Sequence, residues 1–354
     1  MSRFFSKKYA ALSPYVPGEQ PRDRGYLKLN TNESPFPPSE KALAWAAAHT
    51  RPLNLYSDPD CRELTEKTAE LCGLSPAEVL MTNGSDEILN FAFMAFCDRD
   101  TPAAFPDITY GFYPVFARVN GVDYTEIPLR EDFVLDPSDY AHLGKTVFIA
   151  NPNAPTGRAL PASGIEKILA ANPDNVVVVD EAYVDFGGES CAPLVRKYDN
   201  LLVTRTFSKS RSLAGGRLGF GLGCPALIRD LNTIKYSTNP YNINSCTAAL
   251  GLGTLLDEDY TRANCRAIME AREYTLSQLR KRGFEGPDSA ANFILARSPR
   301  ISGEALYAAL REKGVLVRHF SLPRVADYNR ITIGTREQMD RLLAAIDEIL
   351  EERA

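Results

Sequence analysis

The chain reads as an α/β protein: a large doubly wound domain with a mainly parallel sheet, followed by a smaller α+β domain. Three observations predict this. The runs Val176-Val177-Val178-Val179 and Leu201-Leu202-Val203 do not alternate with polar residues, the habit of strands buried on both faces beneath helices. From Val79 to about Gly223, short β-rich runs alternate with helical stretches, the rhythm of strand and crossover. After that a long helical stretch, about Tyr260 to Arg282, gives way to shorter strands and helices.

Each element has a local reason. Pro14, Pro17, Pro21, Pro35, Pro37 and Pro38 make the opening an extended arm rather than a helix. A helix is expected from about Ser39 to Ala48. Ser75-Pro76-Ala77-Glu78 has the form of a capping box with proline at the first helical position. Val79-Leu80-Met81-Thr82 is a strand that runs into Asn83-Gly84-Ser85-Asp86-Glu87 and an apolar helix from Ile88 to Phe96, with Phe91, Phe93 and Phe96 as core. The strands ending at Asp180 and Phe207 follow, then a strand holding Gly219-Phe220-Gly221-Leu222-Gly223. Gly283 ends the long helix. Strands are expected at Phe293 to Ala296, Val315 to Arg318 and Arg330 to Ile333. Thr335-Arg336-Glu337-Gln338 caps the last helix, which puts Met339, Leu342, Leu343, Ile346 and Ile349 on one face. The division this implies is an N-terminal segment 1–50, a large domain 51–255 and a small domain 256–354.

Composition narrows the function. The chain has 354 residues, 44% hydrophobic and 24% charged, with net charge −5 from 40 basic and 45 acidic residues. The charges form no basic stripe, which argues against a nucleic-acid surface. Seven cysteines, odd in number and without C-x-x-C spacing, read as reduced thiols rather than disulfides or a zinc site. No stretch approaches the ~20 apolar residues of a membrane span, and the N-terminus has no secretory h-region. A cytoplasmic protein is expected.

The chemistry gathers at strand ends, where open α/β sheets place their ligands. Asp180 ends one apolar strand, with Tyr183 three residues on; Lys209 follows the other. An acid, a phenol and an amine at one sheet edge suit pyridoxal phosphate (PLP). The lysine forms its Schiff base, the aspartate keeps the ring nitrogen protonated, and the tyrosine reaches the ring oxygen. Arg217, just before another strand, can hold the cofactor phosphate in a charged fork. The small-residue turn at Gly84 opens a helix whose free N–H groups point at an anion.

Rival motifs fail on context. The Gly219-x-Gly-x-Gly run sits inside a strand pattern, not between strand and helix, so it is no dinucleotide fingerprint. His49, His142 and His319 lack metal-ligand spacing, and His319 is expected to be an incidental exposed residue. No G-x-S-x-G elbow supports a serine triad.

Taken in order, these runs resemble fold-type I PLP-dependent transferases, and among them the histidinol-phosphate aminotransferase family. The resemblance extends from Leu12 to Glu337. It is carried by LNTNESPFPPS (29–39), YSDPD (56–60), NGSDE (83–87), TYGFY (109–113), NPNAPTG (151–157), DEAYVDF (180–186) and TFSKSRSLAGGRLGF (206–220). It implies that Lys209, Asp180 and Tyr183 are catalytic. Ser85, Asp86, Tyr110, Asn153, Ser208 and Arg217 are implied in holding PLP, with Tyr110 on the ring face and Tyr56 reaching the phosphate from a second subunit of a homodimer. Arg330 is implied as the anion-binding arginine for an amino donor and a 2-oxo acid acceptor, supported by Arg318 and Tyr15, with Asn32 lining the site. Two positions depart from the pattern. Ala154 stands where an asparagine commonly bonds the ring oxygen, and Gly216 where a larger apolar residue is frequent. Asn153 is therefore expected to turn inward and replace the missing amide. An aromatic amino-acid aminotransferase, a threonine-phosphate decarboxylase, a PLP-dependent regulator and a catalytically dead scaffold are the alternatives; a regulator would need a DNA-binding module, for which the resemblance leaves no residues.

Overall fold

The computed structural model describes residues 2–10, 12, 18–20 and 25–353. The N-terminal part contributes β1 (Leu27–Lys28), α1 (Glu40–His49) and α2 (Arg62–Cys72). The central part runs β2 (Val79–Thr82), α3 (Ser85–Phe96), β3 (Ala103–Pro106), α4 (Tyr113–Asn120), β4 (Tyr124–Ile127), β5 (Thr146–Ala150) and α5 (Ala162–Ala171). It continues with β6 (Val177–Asp180), β7 (Leu201–Thr206), β8 (Gly219–Gly223), α6 (Pro225–Thr238) and α7 (Ser245–Leu255). The last part holds α8 (Glu258–Lys281), β9 (Phe293–Ala296), α9 (Gly303–Glu312), β10 (Val315–Leu316), β11 (Arg318–His319), β12 (Asn329–Thr332) and α10 (Arg336–Glu351).

Seven strands form one sheet in the order β2-β8-β7-β6-β5-β3-β4. Strands β4, β3, β5, β6 and β7 are mutually parallel, and β8 is antiparallel to both its neighbours, β7 and β2. This register decides where the chemistry goes. Asp180 lies opposite Thr204, and Gly219 at the start of β8 lies opposite both Thr206 and Thr82. The carboxyl ends of β2, β6 and β7 and the first residue of β8 therefore share one edge.

Both faces of the sheet are covered, as the unalternated runs predict. Val177, Val179, Leu201 and Val203 pack with Leu64, Ile165 and Ile168 on one side. Val178, Leu202 and Phe148 pack with Ile88, Phe93 and Phe116 on the other. Phe148 stacks on Phe93 with ring centroids 4.1 Å apart. Phe91 and Phe93 are buried and Phe96 is half-buried.

The glycines of β8 are there for packing. A Cβ on Gly221 would stand 1.9 Å from Ile88 Cδ1, and one on Gly219 would stand 2.6 Å from the backbone of Gly84 and Ser85. Helix α3 thus lies directly on a bare strand, the close approach that glycine permits.

The second unit is a three-stranded antiparallel sheet, β11-β12-β9, with α8, α9 and α10 around a core that also takes in Ala154, Tyr183 and Phe186. Strand β1 joins it by pairing with β10, Leu27 opposite Val315. The N-terminal segment is divided between the two units: Ala42 of α1 lies against α7, where a Cβ on Gly253 would meet the Ala42 carbonyl at 2.7 Å. Within this segment, β1 pairs with the second unit while α1 packs against α7.

Other differences are local. The Ser75–Glu78 capping box forms, but around a single 3₁₀ turn, because β2 begins at Val79. The single strand expected at Val315–Arg318 is two, β10 on β1 and β11 on β12, because the chain changes sheets at Val317. The Thr335–Gln338 capping box forms as expected. All seven cysteines are free, and Cys61, Cys97, Cys191 and Cys265 are buried. Among the described residues no helix is long and apolar enough to cross a membrane.

Candidate active site

A cavity of about 290 Å³ opens at the shared sheet edge. Among its lining residues are Lys209, Asp180, Tyr183, Tyr110, Ser85 and Arg217. Asp86, Ser208 and Ala154 also line it, with Thr31 and Glu33 from the N-terminal segment.

Its deep end is Asp180, whose carboxylate is buried. The Thr204 hydroxyl donates to Oδ1 at 3.2 Å, the Tyr113 hydroxyl to Oδ2 at 3.3 Å and the Ala182 N–H to Oδ1 at 3.2 Å. Burial first, and then the negative charge of Asp86, push this carboxyl up to about 6; the three donors pull in the other direction. None of these partners is cationic. A protonated pyridine nitrogen is the charge such a carboxylate lacks.

The opposite end is a cup for an anion. Helix α3 starts at Ser85 after Gly84, whose φ is +79°, and no side chain caps it. Its first N–H groups are thus of the kind left for a ligand. The Arg217 guanidinium closes the cup. Its Nη1 lies 3.3 Å from Ser208 Oγ and its Nη2 3.4 Å from Asp86 Oδ2. A Cβ on Gly84 would stand 2.8 Å from Arg217 Nη2, so the tight turn and the arginine are mutually dependent. Gly216 leaves Arg217 undisturbed, and an added Cβ there would meet Leu213 Cβ at 3.4 Å, ordinary contact.

Between the two ends, the Tyr110 hydroxyl donates to Asp86 Oδ1 at 2.7 Å. Burial, then the Asp86 carboxylate, hold that phenol well above its ordinary pKa, so it stays protonated. Lys209 Nζ donates to the Thr31 carbonyl at 3.2 Å and stands 5.8 Å from the Tyr183 ring centroid. An amine, with an anion cup and a buried carboxylate at the two ends of the cavity, matches the donor set that PLP requires.

Some expected residues lie elsewhere. Asn153 does not turn inward: its Nδ2 donates to the Ile108 carbonyl and to Thr156 Oγ1, both at 2.9 Å, and its Oδ1 accepts from Thr109 at 3.0 Å. Its amide is committed to the loop, as asparagine often is in turns, and the residue facing the cavity is Ala154. Asn32 does not line the site either. It is 1% exposed and sits behind Tyr183, to whose oxygen its Nδ2 donates at 3.0 Å. Tyr56 is 80% exposed and stacks on Tyr241 at 4.4 Å, outside the cavity of its own chain. His319 is half-buried beside Tyr307, not exposed. Tyr15 lies outside the described residues.

Arg318 and Arg330 are opposite one another on β11 and β12. Both guanidinium groups stand by the Phe320 ring, at 5.8 and 5.6 Å from its centroid. Arg330 Nη2 also donates to the Asn30 carbonyl at 3.1 Å, one residue from the cavity wall at Thr31.

Sequence reasoning missed Tyr113, Thr204, Thr31 and Glu33. Thr204 was accessible in principle, because strand register puts it beside Asp180. Tyr113 lies within the TYGFY run but at its end, as the first residue of α4.

Comparison with known proteins agrees with this geometry. The pattern of the "Aminotransferase class I and II" family matches residues 24–346. Histidinol-phosphate aminotransferase 1 of Bradyrhizobium diazoefficiens is 47% identical over 350 residues, covering 99% of this chain and 100% of that protein. Histidinol-phosphate aminotransferase 2 of Rhizobium meliloti is 48% identical over 351 residues, with the same coverage. A solved structure, histidinol-phosphate aminotransferase from Sinorhizobium meliloti in complex with pyridoxal-5'-phosphate, superposes with a TM-score of 0.90 at 23% identity, covering 100% of this chain and 99% of that one. The likeness runs along nearly the whole chain, and the chain belongs to the class I and II aminotransferases, within the histidinol-phosphate aminotransferase family.

Proposed function

We propose that this chain is a PLP-dependent transaminase that takes the amino group of histidinol phosphate and passes it to a 2-oxo acid such as 2-oxoglutarate. The observation that carries the reading is the full-length likeness to histidinol-phosphate aminotransferases on a site whose amine, acid and anion cup are all in place. Bound there, PLP supplies an electron sink for the carbanion formed when the substrate loses its Cα proton.

The protein's own residues do the rest. Arg217, Ser208, the Ser85 hydroxyl and the first N–H groups of α3, Asp86 included, hold the cofactor phosphate. Tyr110 would lie against the cofactor ring, Asp180 would keep the ring nitrogen protonated, and Tyr183 would donate to the ring oxygen. Lys209 anchors the group through Nζ and then carries the proton from the substrate Cα, being both nucleophilic and close at hand after release. Arg330, helped by Arg318 and Tyr15, holds the substrate anion, which is a phosphate on one substrate and a carboxylate on the other; an arginine fork fits both.

Residues 51–255 form the cofactor-binding domain in this reading, and 256–354 with β1 form the part that closes over it. The working unit is a cytoplasmic homodimer. Tyr56, too exposed to serve its own site, reaches the cofactor phosphate of the other subunit. The test is glutamate formation from a panel of donors with 2-oxoglutarate as acceptor. Histidinol phosphate should give the highest kcat/KM. A preference for phenylalanine would make the chain an aromatic aminotransferase, and CO₂ release from threonine phosphate without 2-oxoglutarate consumption would make it a decarboxylase.

A further inference from the structure

The NPNAPTG loop leaves the cavity without a side-chain amide at Ala154, and Asn153 is bonded away from it. A different asparagine stands close by. We infer that Asn32 is a positioning residue whose amide turns the Tyr183 hydroxyl into a fixed donor toward the cavity, and so supplies indirectly what Ala154 cannot. The inference rests on the reading of the cavity as a PLP site.

The polarity of the chain of hydrogen bonds supports this. The backbone N–H of Asn32 can only donate, and it donates to Thr332 Oγ1 at 2.9 Å. The Thr332 hydroxyl in turn donates to Asn32 Oδ1 at 3.0 Å. With Oδ1 engaged, the other end of the amide, Nδ2, faces Tyr183 and donates to its oxygen at 3.0 Å. A phenol oxygen that accepts one bond has its own proton free to point the other way, and a bond accepted strengthens the bond donated.

Asn32 is built for this duty. It is 1% exposed, and its φ of +56° is a conformation that asparagine tolerates better than most side chains. Its carbonyl accepts from Asn292 Nδ2 at 3.0 Å, which fixes the segment from the other side. Neighbouring links tie the same segment to the small sheet and to the lysine: Thr332 N–H donates to Leu29 O at 2.9 Å, Arg330 to Asn30 O, and Lys209 to Thr31 O. The charged and titratable groups that share the cavity wall with Tyr183 are Lys209, Asp180, Asp86, Glu33, Tyr110 and Arg217; Tyr113 stands behind Asp180, and Arg330 lies over Phe293, the ring that Tyr183 meets edge-on.

The readout is the pH midpoint at which the visible absorbance of the PLP-loaded protein changes, measured without substrate. A donor to the ring oxygen favours the deprotonated form of the chromophore, so weakening that donor raises the midpoint. Asn32→Ala should raise it by about 0.5–1 pH unit. Asn32→Asp, which keeps the size and suits the backbone, should raise it as well, because a carboxylate can only accept and draws the Tyr183 proton away from the cavity. It also serves if the alanine variant folds poorly. Tyr183→Phe should raise the midpoint at least as much, and adding Asn32→Ala to it should change nothing further. Ala154→Asn should bring the midpoint of Asn32→Ala back toward the parent value. Midpoints of both Asn32 variants that overlay the parent, or an Asn32→Ala shift that persists undiminished in the Tyr183→Phe background, would overturn the inference. Failure to turn over histidinol phosphate would count against the proposed substrate and leave this titration unaffected.

Discussion

Asp180 is a carboxylate placed where the fold alone would not want one. Burial lifts its pKa from an ordinary 3.8 to about 6, against the pull of Thr204, Ala182 N–H and Tyr113. The consequence for stability has a definite sign. Well below 3.8, at about pH 3, the group is neutral in the folded and unfolded chains alike and costs nothing. Between 3.8 and about 6 the unfolded chain gives up this proton while the folded protein keeps it, so stability falls across that window and the loss is complete above it. Asp180→Asn should therefore stabilise the cofactor-free protein at pH 8, by at most about 3 kcal/mol, and the gain should vanish near pH 3. Thermal unfolding at the two pH values checks this; an equal gain at both would mean that packing, not charge, is responsible. The same variant should lose transamination. Lys209, Asp180 and Tyr183 were legible in the sequence because each stands at or just beyond a strand end, and Arg217 because it stands just before a strand. Asn32 and Thr204 act through partners far away in the chain, Tyr183 and Asp180, and only the folded register brings them together. Asn153 was misread because its loop offered nearer acceptors and donors than the cavity did.

At the level of elements, the anion cup depends on how closely α3 approaches β8. The two glycines concerned differ in what opposes them. A Cβ at Gly221 meets the end of the Ile88 side chain, whereas one at Gly219 meets the Gly84 and Ser85 backbone at the mouth of the cup. Gly221→Ala should cost about 1–3 kcal/mol of stability through overpacking while PLP affinity stays near that of the parent. Gly219→Ala should displace the N-terminus of α3 and weaken PLP binding by about tenfold or more, the loss of one good contact. Thermal melts and PLP titrations of the two variants separate these effects; equal PLP affinity in both would show that the cup does not rely on this contact. The glycine run was legible as part of a strand, and its purpose was not, because packing partners are invisible to local pattern. The same limit explains why Val315–Arg318 read as one strand: β propensity continues through Val317, while pairing moves from β1 to β12.

The whole molecule carries an exposed apolar group beside Tyr241. Leu53, Leu55 and Tyr56 are 71%, 63% and 80% exposed, and Tyr241, against which Tyr56 stacks, is 42% exposed. Clustered apolar exposure of this kind marks a contact surface. If Tyr56 serves the opposite subunit, then mixing Tyr56→Phe with Lys209→Ala gives dimers with one site bearing both lesions and one bearing neither. Activity should recover toward half that of the parent after subunit exchange, which native mass spectrometry can confirm. No recovery after confirmed exchange would place Tyr56 outside the shared site. The architecture at this scale was largely legible, since unalternated strands and capped helices define both units; the division of the N-terminal segment between them was not, because α1 is placed by a glycine of α7 far along the chain.

The central claim is that Lys209 carries the proton at the Cα of histidinol phosphate within this site. Exchange of that hydrogen with solvent tests it most directly. The PLP-loaded protein is incubated with histidinol phosphate in D₂O without acceptor, and the Cα signal is followed by proton NMR. The parent should wash the signal out, and Lys209→Ala, with PLP still bound, should leave it intact over the same period. No exchange by the parent, or equal exchange by the variant, would contradict the account.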